Sequence, residues 1–166
     1  LLALILTILP AIMMHELAHG LAAYLNGDFT AKLAGRLTLD PRKHFDILGT
    51  IMMLVVGFGW AKPVPVDSRN FRNYKKGMLT TALAGVTANL IMALIAFVSL
   101  CALTAIFASS GTLVATANGV GIYTQPAAAY NAYRFFYYWC TYGVTVNMTL
   151  FLFNLVPLYP LDGFRV

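Results

Sequence analysis

The residues of this chain best suited to chemistry are His15, Glu16 and His19, an H-E-x-x-H pattern inside an apolar run from Leu1 to about Leu25. On a helix, residues four apart lie about 40° apart around the axis, so both imidazoles can bind one metal ion while Glu16 stays beside it. Ionisable groups in an apolar segment are costly and usually mark a functional site. The pattern therefore predicts a zinc site with a carboxylate placed to act as a general base.

The composition predicts that a lipid bilayer surrounds these residues. Hydrophobic residues make up 60% of the chain and charged residues only 10%, whereas soluble domains are about one half apolar and about one quarter charged. We expect an integral membrane protein. Because the chain opens on Leu and stops soon after Asp162, we also expect it to be part of a longer polypeptide. The two cysteines, Cys101 and Cys140, lie in separate apolar segments and predict buried thiols rather than a disulfide or a metal site.

Four apolar stretches indicate how the chain meets the bilayer. Leu1–Leu25, Leu79–Ala108 and Phe135–Leu158 are each long enough to cross about 30 Å of hydrocarbon as helices. The fourth, Ile47–Trp60, is shorter than the usual minimum of about 17 residues, and the prolines that follow it cannot continue a helix. We expect an all-α integral membrane fold with three core transmembrane helices and, over residues 47–66, a short re-entrant segment with an extended loop.

The distribution of basic residues predicts the orientation in the membrane. Nine of the eleven Lys and Arg residues lie between Lys32 and Lys76, on both sides of the short apolar stretch. If that stretch crossed the bilayer, basic clusters would face both compartments, against the positive-inside rule. A re-entrant segment instead places both clusters in the cytoplasm, and the uncharged region Ser109–Tyr133 becomes the outer loop. The first and last helices then run parallel, with their C-terminal ends and the site nearer the cytoplasm of the cell membrane.

The net charge of +5 is explained by this topology and by contact with anionic lipid. No basic surface interleaved with aromatic residues indicates nucleic acid as a partner. The sequence does not predict an oligomeric state.

A third zinc ligand is expected from the far end of the chain. Catalytic zinc usually takes three protein ligands and keeps a fourth position open, so two histidines leave one ligand to find. Asp162 is the only acidic residue after Asp67. Pro157 and Pro160 unwind the end of the last helix, and Gly163 lets the backbone approach closely. An aspartate delivered there can reach a metal on the parallel first helix.

Three motifs in order resemble the site-2 proteases, a family of intramembrane zinc metalloproteases. They are the H-E-x-x-H of 15–19, Leu83-Ala84-Gly85-Val86-Thr87-Ala88-Asn89 in the middle, and N-x-x-P-x-x-P-L-D-G over 154–163. The stretch Phe58–Val66 further resembles the short bacterial members without a PDZ domain, and the region 109–133 is too short to hold one. Val86 departs from the proline usual in the family at that place.

The resemblance implies an endopeptidase that hydrolyses peptide bonds in or near transmembrane segments of membrane proteins, as in regulated intramembrane proteolysis. It implies one zinc ion per chain on His15, His19 and Asp162, with Glu16 as the general base. It also implies that Asn154 holds the substrate or stabilises the oxyanion and that Asn89 has a related polar role. The expected partners are a transmembrane protein substrate and the lipid bilayer.

Other interpretations remain open. The chain could be a proteolytically inactive zinc-binding scaffold, or a zinc transporter, although Leu79 to Tyr133 offers no ionisable group to line a route. Asn147 is interpreted as hydrogen-bonding glue between helices, a role also open to Asn89 and Asn154. His44 is interpreted as an interfacial histidine, with contact to the site as the alternative.

The segment Gly57–Val66 is predicted to face the substrate. Pro63 and Pro65 alternate with valines, so the backbone should be extended, with unpaired N–H and C=O groups along one edge. A substrate could add to that edge as a strand. The alternative is a plain cytoplasmic connector.

Overall fold

The structure is a computed structural model that describes residues 2–56, 62–109, 113–116, 119–122, 127–158 and 161–165. The helices within these residues are α1 (Leu2–Leu25), α2 (Thr30–Leu33), α3 (Pro41–His44), α4 (Ile47–Val56), α5 (Tyr74–Ser109) and α6 (Ala127–Leu155). Two strands, β1 (Leu113–Thr116) and β2 (Gly119–Ile122), and two 3-10 turns, Ser68–Asn70 and Asp162–Arg165, complete the described elements.

The three long helices form one bundle in which α5 packs against both α1 and α6. Hydrogen bonds join His15 to Asn89 and His19 to the backbone of Thr81, so α1 and α5 run in opposite directions. The side chain of Asn89 also meets Asn147, while the ring of Phe107 stacks near that of Tyr133, so α5 and α6 are antiparallel too. Consequently α1 and α6 are parallel, and their C-terminal ends meet the N-terminal end of α5.

Small and polar residues line the contact between α1 and α5. On both helices the buried positions recur about every four residues, which defines one face. On α1 they are Ala3, Thr7, Ala11, His15, Gly20 and Ala23, and on α5 they are Gly77, Thr81, Ala82, Gly85, Val86, Asn89 and Ala93. Small residues let helix backbones approach closely, and membrane helices use them at their interfaces because lipid is as apolar as leucine.

Large apolar side chains point away from the bundle. Leu2, Ile95 and Val98 are each more than 60% exposed, as is Ile106 near the end of α5. By length and composition α1 and α5 are apolar enough to cross a membrane. An apolar surface of this kind around a polar interior suggests a membrane protein, as the composition predicted.

Helix ends differ from the predicted spans for local reasons. Helix α5 begins at Tyr74, five residues before the predicted Leu79. Its first turn is polar, so the apolar run that predicted the helix does not include it. Helix α6 runs from Ala127 to Leu155 rather than from Phe135 to Leu158. Its end follows from Pro157, which disfavours helical geometry at the residue before it.

The short apolar stretch contains helix α4, which has 10 residues. At about 1.5 Å per residue it extends about 15 Å, half of what a membrane span requires. Two of its described apolar side chains are strongly exposed, Ile47 by 81% and Val55 by 77%. Residues 57–61 lie outside the described part of the chain, so entry of 47–66 into the bilayer stays a prediction.

The connection between α5 and α6 adds a short hairpin to the all-helical fold that the sequence predicted. Strands β1 and β2 pair there as an antiparallel two-stranded sheet, with Leu113 opposite Ile122 and Thr116 opposite Gly119. Valine and threonine favour extended backbone, a local preference that the charge argument for an outer loop did not use. The helical core is unaffected by this addition.

The segments beyond the C-terminal end of α1 are held together by Asp28, which is fully buried. One carboxylate oxygen accepts hydrogen bonds from the backbone N–H and hydroxyl of Thr30 and from the amide of Asn70. The other accepts from the backbone N–H of Asp67 at 2.8 Å. Burial by itself would raise the pKa of Asp28, but these hydrogen bonds outweigh it and lower the pKa below its ordinary value of 3.8.

Asp28→Ala should lower the free energy of unfolding by about 3 kcal/mol, because four hydrogen-bond donors lose a buried, charged acceptor. Since the folded-state pKa of Asp28 lies below the unfolded value of about 3.9, this stabilisation is complete above that value and declines as the pH falls below it. Thermal unfolding in detergent at pH 7 and at pH 3 measures both effects.

The control is Asp40→Ala, which removes the cap of the short helix α3, where one carboxylate oxygen accepts from the N–H of Arg42. Equal melting temperatures for the two variants at pH 7 would contradict the role assigned to Asp28.

Candidate metal centre

Three electron-pair donors converge where α1 meets the turn that follows α6. The Nε2 atoms of His15 and His19 are 3.0 Å apart. One carboxylate oxygen of Asp162 lies 3.0 Å from each of these two nitrogens. Among the described residues these side chains form the group of histidine and carboxylate ligands close enough to hold a metal ion. The structure therefore brings together the two histidines and the distant aspartate that the sequence predicted as ligands.

The turn after α6 delivers Asp162. Helix α6 ends at Leu155, and hydrogen bonds from the N–H of Val156 to Phe153 O and from that of Leu161 to Leu158 O fold the chain back. A Cβ atom at Gly163 would lie 2.5 Å from the carbonyl oxygen of Leu155 and 2.7 Å from that of Val156. Only glycine can therefore pass so close to the end of the helix.

Each histidine is held by the ring nitrogen that faces away from the cluster. Nδ1 of His15 lies 2.6 Å from the side-chain oxygen of Asn89, and Nδ1 of His19 lies 2.7 Å from the backbone oxygen of Thr81. Both partners are acceptors, so each Nδ1 carries a proton and donates it. When the rings are neutral, their Nε2 lone pairs point toward Asp162, which is the arrangement that histidine ligands of zinc commonly show.

This geometry fits zinc. Nε2 of His19 and the carboxylate of Asp162 can share a proton. A metal cation, however, lets both imidazole lone pairs and the carboxylate oxygen, 3.0 Å apart, bind one centre together. Tetrahedral zinc with bonds of about 2.0–2.1 Å needs ligand atoms about 3.3 Å apart, close to the observed separations. Two nitrogens and one oxygen also match the ligand set of catalytic zinc sites, which leave the fourth position open.

Gly85 on α5 makes room for the cluster. A Cβ atom there would lie 2.7 Å from Cε1 of His15 and even closer to Nε2 of His19, well inside van der Waals contact. The glycine of the middle motif thus lets the α5 backbone pass directly beneath the two imidazoles. It is a steric requirement of the site, not a source of chain flexibility.

Glu16 lies beside the ligands at the wall of a small cavity. The cavity has a volume of about 200 Å³, and its lining includes Glu16, His19, Asp162, Thr81 and Val64. One carboxylate oxygen of Glu16 accepts a hydrogen bond of 3.0 Å from the backbone N–H of Val64. This contact fixes the carboxylate next to the ligands, where it can exchange a proton with a molecule in the cavity.

The segment from Lys62 to Asp67 is fastened along the site. The N–H of Lys62 donates to His44 O at 2.9 Å, and its carbonyl accepts from the guanidinium of Arg36. Further along, the N–H of Asp67 donates to Asp28. The prediction of unpaired backbone groups along this segment is therefore wrong at Val64, because its N–H is already hydrogen-bonded to Glu16.

The other polar residues named from the sequence are placed as follows. Asn89 is fully buried and bonds to His15, whereas Asn154 is half-buried and donates to Leu150 O of its own helix. A ring nitrogen of the fully buried His44 bonds to the backbone oxygen of Thr38, so His44 supports the loop and does not belong to the metal-binding group. The catalytic roles of Asn89 and Asn154 stay predictions.

Sequence reasoning missed three contributors. The carbonyl of Thr81 and the N–H of Val64 are backbone groups, which no side-chain pattern can reveal. Arg36 was counted only as part of a basic cluster, yet it is 7% exposed and holds the backbone of Lys62. Cys101 and Cys140 are both free, as predicted, but the prediction that they are buried is wrong, because Cys101 is exposed and Cys140 is partly exposed.

Comparison with known proteins agrees with this centre. The model of Peptidase family M50 matches residues 3–166. The chain is also 42% identical over 163 residues to a protein of Bacillus subtilis (strain 168) named "Putative zinc metalloprotease YwhC", covering 98% of this chain and 66% of that protein. It thus spans slightly less than two thirds of the length of this relative. No solved structure gave a significant match.

The match over nearly the whole chain shows that it belongs to Peptidase family M50, the site-2 protease family. Membership agrees with the family that the three motifs indicated. Zinc is the metal implied by the name of the relative and by the donor set of His15, His19 and Asp162.

Asp162→Ala should weaken zinc binding by more than about 100-fold, because loss of an outer partner of a ligand already costs about 10- to 100-fold. Metal analysis of the purified protein and competition with a chelator measure this change. Asp67→Ala is the matched control, since Asp67 pairs with the exposed Arg69 at the surface. Unchanged zinc affinity in Asp162→Ala would mean that the third ligand lies elsewhere.

Proposed function

We propose that this protein is an intramembrane zinc endopeptidase that hydrolyses peptide bonds in or near the transmembrane segments of membrane proteins. The observation that carries the proposal is the position of Glu16 beside three converging metal-binding atoms, in a cavity between long apolar helices. The family supplies the reaction class. Regulated intramembrane proteolysis is the process in which such an activity would act.

In this proposal the protein is a multi-pass protein of the cell membrane, with α1, α5 and α6 as its three spans. Helix α6 is richer in tyrosine and asparagine than the other two, and its parallel alignment with α1 supports the same passage through the bilayer. The basic residues between Lys32 and Lys76 all lie on the side where α1 ends and α5 begins. By the positive-inside rule that side is cytoplasmic, so the site faces the cytoplasm.

One zinc ion per chain would be held by His15, His19 and Asp162. Zinc in such a site polarises the peptide carbonyl and lowers the pKa of water from about 15.7 toward about 7. The unprotonated nitrogens and the carboxylate need no rearrangement to receive it. The hydrogen bonds of Asn89 and Thr81 keep both imidazoles in that orientation.

Glu16 is the general base. Its carboxylate takes a proton from the attacking water and gives it to the leaving amine when the peptide bond breaks. The Val64 N–H donates to one of its oxygens, which leaves the other to receive the proton. Glu16 is partly exposed in a cavity with polar and apolar lining, so a water molecule can reach its carboxylate.

Asn154 and Asn89 are proposed as polar supports of the reaction. The amide of Asn154 lies on the last turn of α6, before the fold-back that carries Asp162, and donates to Leu150 O. To hold substrate or stabilise an oxyanion it would exchange that bond for one to the substrate. Asn89 has no exposed surface and contacts His15. Asn89 would therefore act by orienting the ligand His15 and would not contact the substrate.

The segment 62–67 is proposed as the substrate-binding element. Pro63, Val64 and Val66 line the same cavity as His19 and Asp162. Prolines remove two N–H groups from this segment, so an incoming strand would pair chiefly with its carbonyl oxygens. Such pairing would hold the substrate backbone extended next to the ligands, because a helix shields its own carbonyls by hydrogen bonding.

Two other functions are less well supported. An inactive scaffold would not need a carboxylate at Glu16, fixed beside the ligands by a hydrogen bond. A zinc transporter would need ionisable groups along a path, whereas the described residues hold one metal-binding group. Peptide cleavage and zinc uptake into proteoliposomes separate these functions directly.

Glu16→Gln should reduce cleavage by about 10²- to 10⁴-fold while the protein keeps stoichiometric zinc. The amide oxygen can still accept the Val64 N–H, so the cavity keeps its shape and only the base is lost. Peptidase assays in detergent and metal analysis of the same preparation measure the two outcomes. Loss of zinc together with activity would contradict the separation between base and ligands.

A cysteine introduced by Val66→Cys should crosslink to a transmembrane substrate close to the cleavage site, since Val66 lines the cavity. Both native cysteines are first replaced by alanine, because Cys101 is exposed. Ser109→Cys, at the opposite end of α5, is the matched control and should give no crosslink near the cleavage site. Crosslinks formed only by Ser109→Cys would overturn both the substrate element and the inward-facing orientation.

A further inference from the structure

A line of buried amides runs from the metal centre across the bundle. The ring Nδ1 of His15 lies 2.6 Å from Oδ1 of Asn89, whose Nδ2 donates to Oδ1 of Asn147 at 2.9 Å. Nδ2 of Asn147 donates to the backbone oxygen of Gly143 at 2.9 Å. Asn89 is 0% exposed and Asn147 is 2% exposed, so water does not compete for these bonds. One polar chain thus connects α6, α5 and α1.

Each amide in this chain has a single workable orientation. The carbonyl of Gly143 can only accept, so the nitrogen of Asn147 must face it and the oxygen must face α5. Asn89 then turns its nitrogen toward that oxygen and toward Ala11 O, at 3.4 Å. This leaves the oxygen of Asn89 for His15, which must donate from Nδ1, so that a neutral His15 carries its lone pair on Nε2.

We propose that Asn147 is a positioning residue for the metal centre. By fixing the amide of Asn89, it selects the tautomer and ring orientation in which His15 presents Nε2 to zinc. The inference rests on the proposed zinc enzyme and deepens it, because it assigns part of the metal affinity to a residue on a helix that carries no ligand. From the sequence, Asn147 was expected only to hydrogen-bond between two helices.

Close packing of α6 against α5 allows the hydrogen bond between Asn147 and Asn89 to form. Gly143, one turn before Asn147, lies so close to α5 that a Cβ atom there would meet the Cβ of Ala96 at 2.7 Å. This close approach brings the two amides within hydrogen-bond distance. An asparagine that only joined two helices would be satisfied by any partner in either orientation, whereas here the order of donors and acceptors continues to a ligand.

The experiment measures zinc affinity in purified protein by competition with a chelator, together with the absorption spectrum of the cobalt(II) form. Asn147→Leu removes the acceptor for Asn89 and should weaken zinc binding by about 5- to 20-fold and alter the cobalt spectrum, by analogy with other outer partners of metal ligands. Thr145→Val is the matched control. Its hydroxyl is exposed and bonds only within α6, to Thr141 O, so zinc affinity should not change.

A double-variant cycle separates positioning from general packing. Asn89→Ala should weaken zinc binding by about 10- to 100-fold, and adding Asn147→Leu to it should cause no further loss, because the two residues act in series. The proposal would be overturned if the reductions in zinc affinity of the two single variants multiplied in the double variant. It would also be overturned by an Asn147→Leu protein that binds zinc as tightly as the unsubstituted chain.

Asn147→Asp provides a rescue test that holds even if Asn147→Leu does not fold. A protonated carboxyl can donate to the Gly143 carbonyl and accept from Asn89, so zinc affinity should stay within about 3-fold of the unsubstituted protein. A loss as large as that of Asn89→Ala would refute the positioning role. If the unsubstituted protein itself bound no zinc, the proposed function would fail, and that result is distinct from the outcomes above.

Discussion

The mutual approach of two imidazole nitrogens and one carboxylate oxygen, each 3.0 Å from the others, is the constraint on which the rest of the molecule depends. A proton can link one imidazole to the carboxylate, but a metal cation satisfies all three atoms at once. They can be assembled only if α1 carries two histidines on one face, if α6 runs parallel to α1, and if the chain folds back after Leu155. Each of these features has an identifiable cause in the sequence, and each serves to place one donor.

A polar interior inside an apolar exterior follows from the same constraint. Ionisable groups are expensive at membrane depth, so the ligands are enclosed by α5 and fully hydrogen-bonded through Asn89 and the carbonyl of Thr81. Gly85 allows that enclosure because a side chain there would occupy the position of the imidazoles. Small residues lie at the helix contacts, and large leucine and valine side chains are exposed. This distribution is the opposite of that in soluble proteins, where large apolar residues are mostly buried. The bundle therefore supports a polar site inside an apolar exterior, as expected of a membrane protein.

Much of the site was predictable from the sequence because its chemistry depends on spacing. H-E-x-x-H defines two ligands and the base through the helical repeat, and the scarcity of acidic residues after Asp67 left Asp162 as the third ligand. The long helices were predictable from apolar runs, with errors at the ends where polar turns extend α5 and Pro157 shortens α6. These are errors of boundary and not of architecture.

What could not be predicted depends on backbone contacts and on long-range packing. No residue pattern shows that the carbonyl of Thr81 orients His19, or that the N–H of Val64 holds Glu16. The role of Asn147 becomes visible only when three helices are placed together. The strands β1 and β2 depend on local pairing in a region where the argument used charge alone.

The central claim is that zinc is held by two imidazoles and a carboxylate, and X-ray absorption at the zinc edge of the detergent-purified protein tests it most directly. The account predicts a first shell of nitrogen and oxygen only, at about 2.0–2.1 Å, with the multiple-scattering pattern of two histidines. Scattering from sulfur at about 2.3 Å would place zinc on Cys101 or Cys140 instead. That result, or a shell without imidazole, would contradict the account.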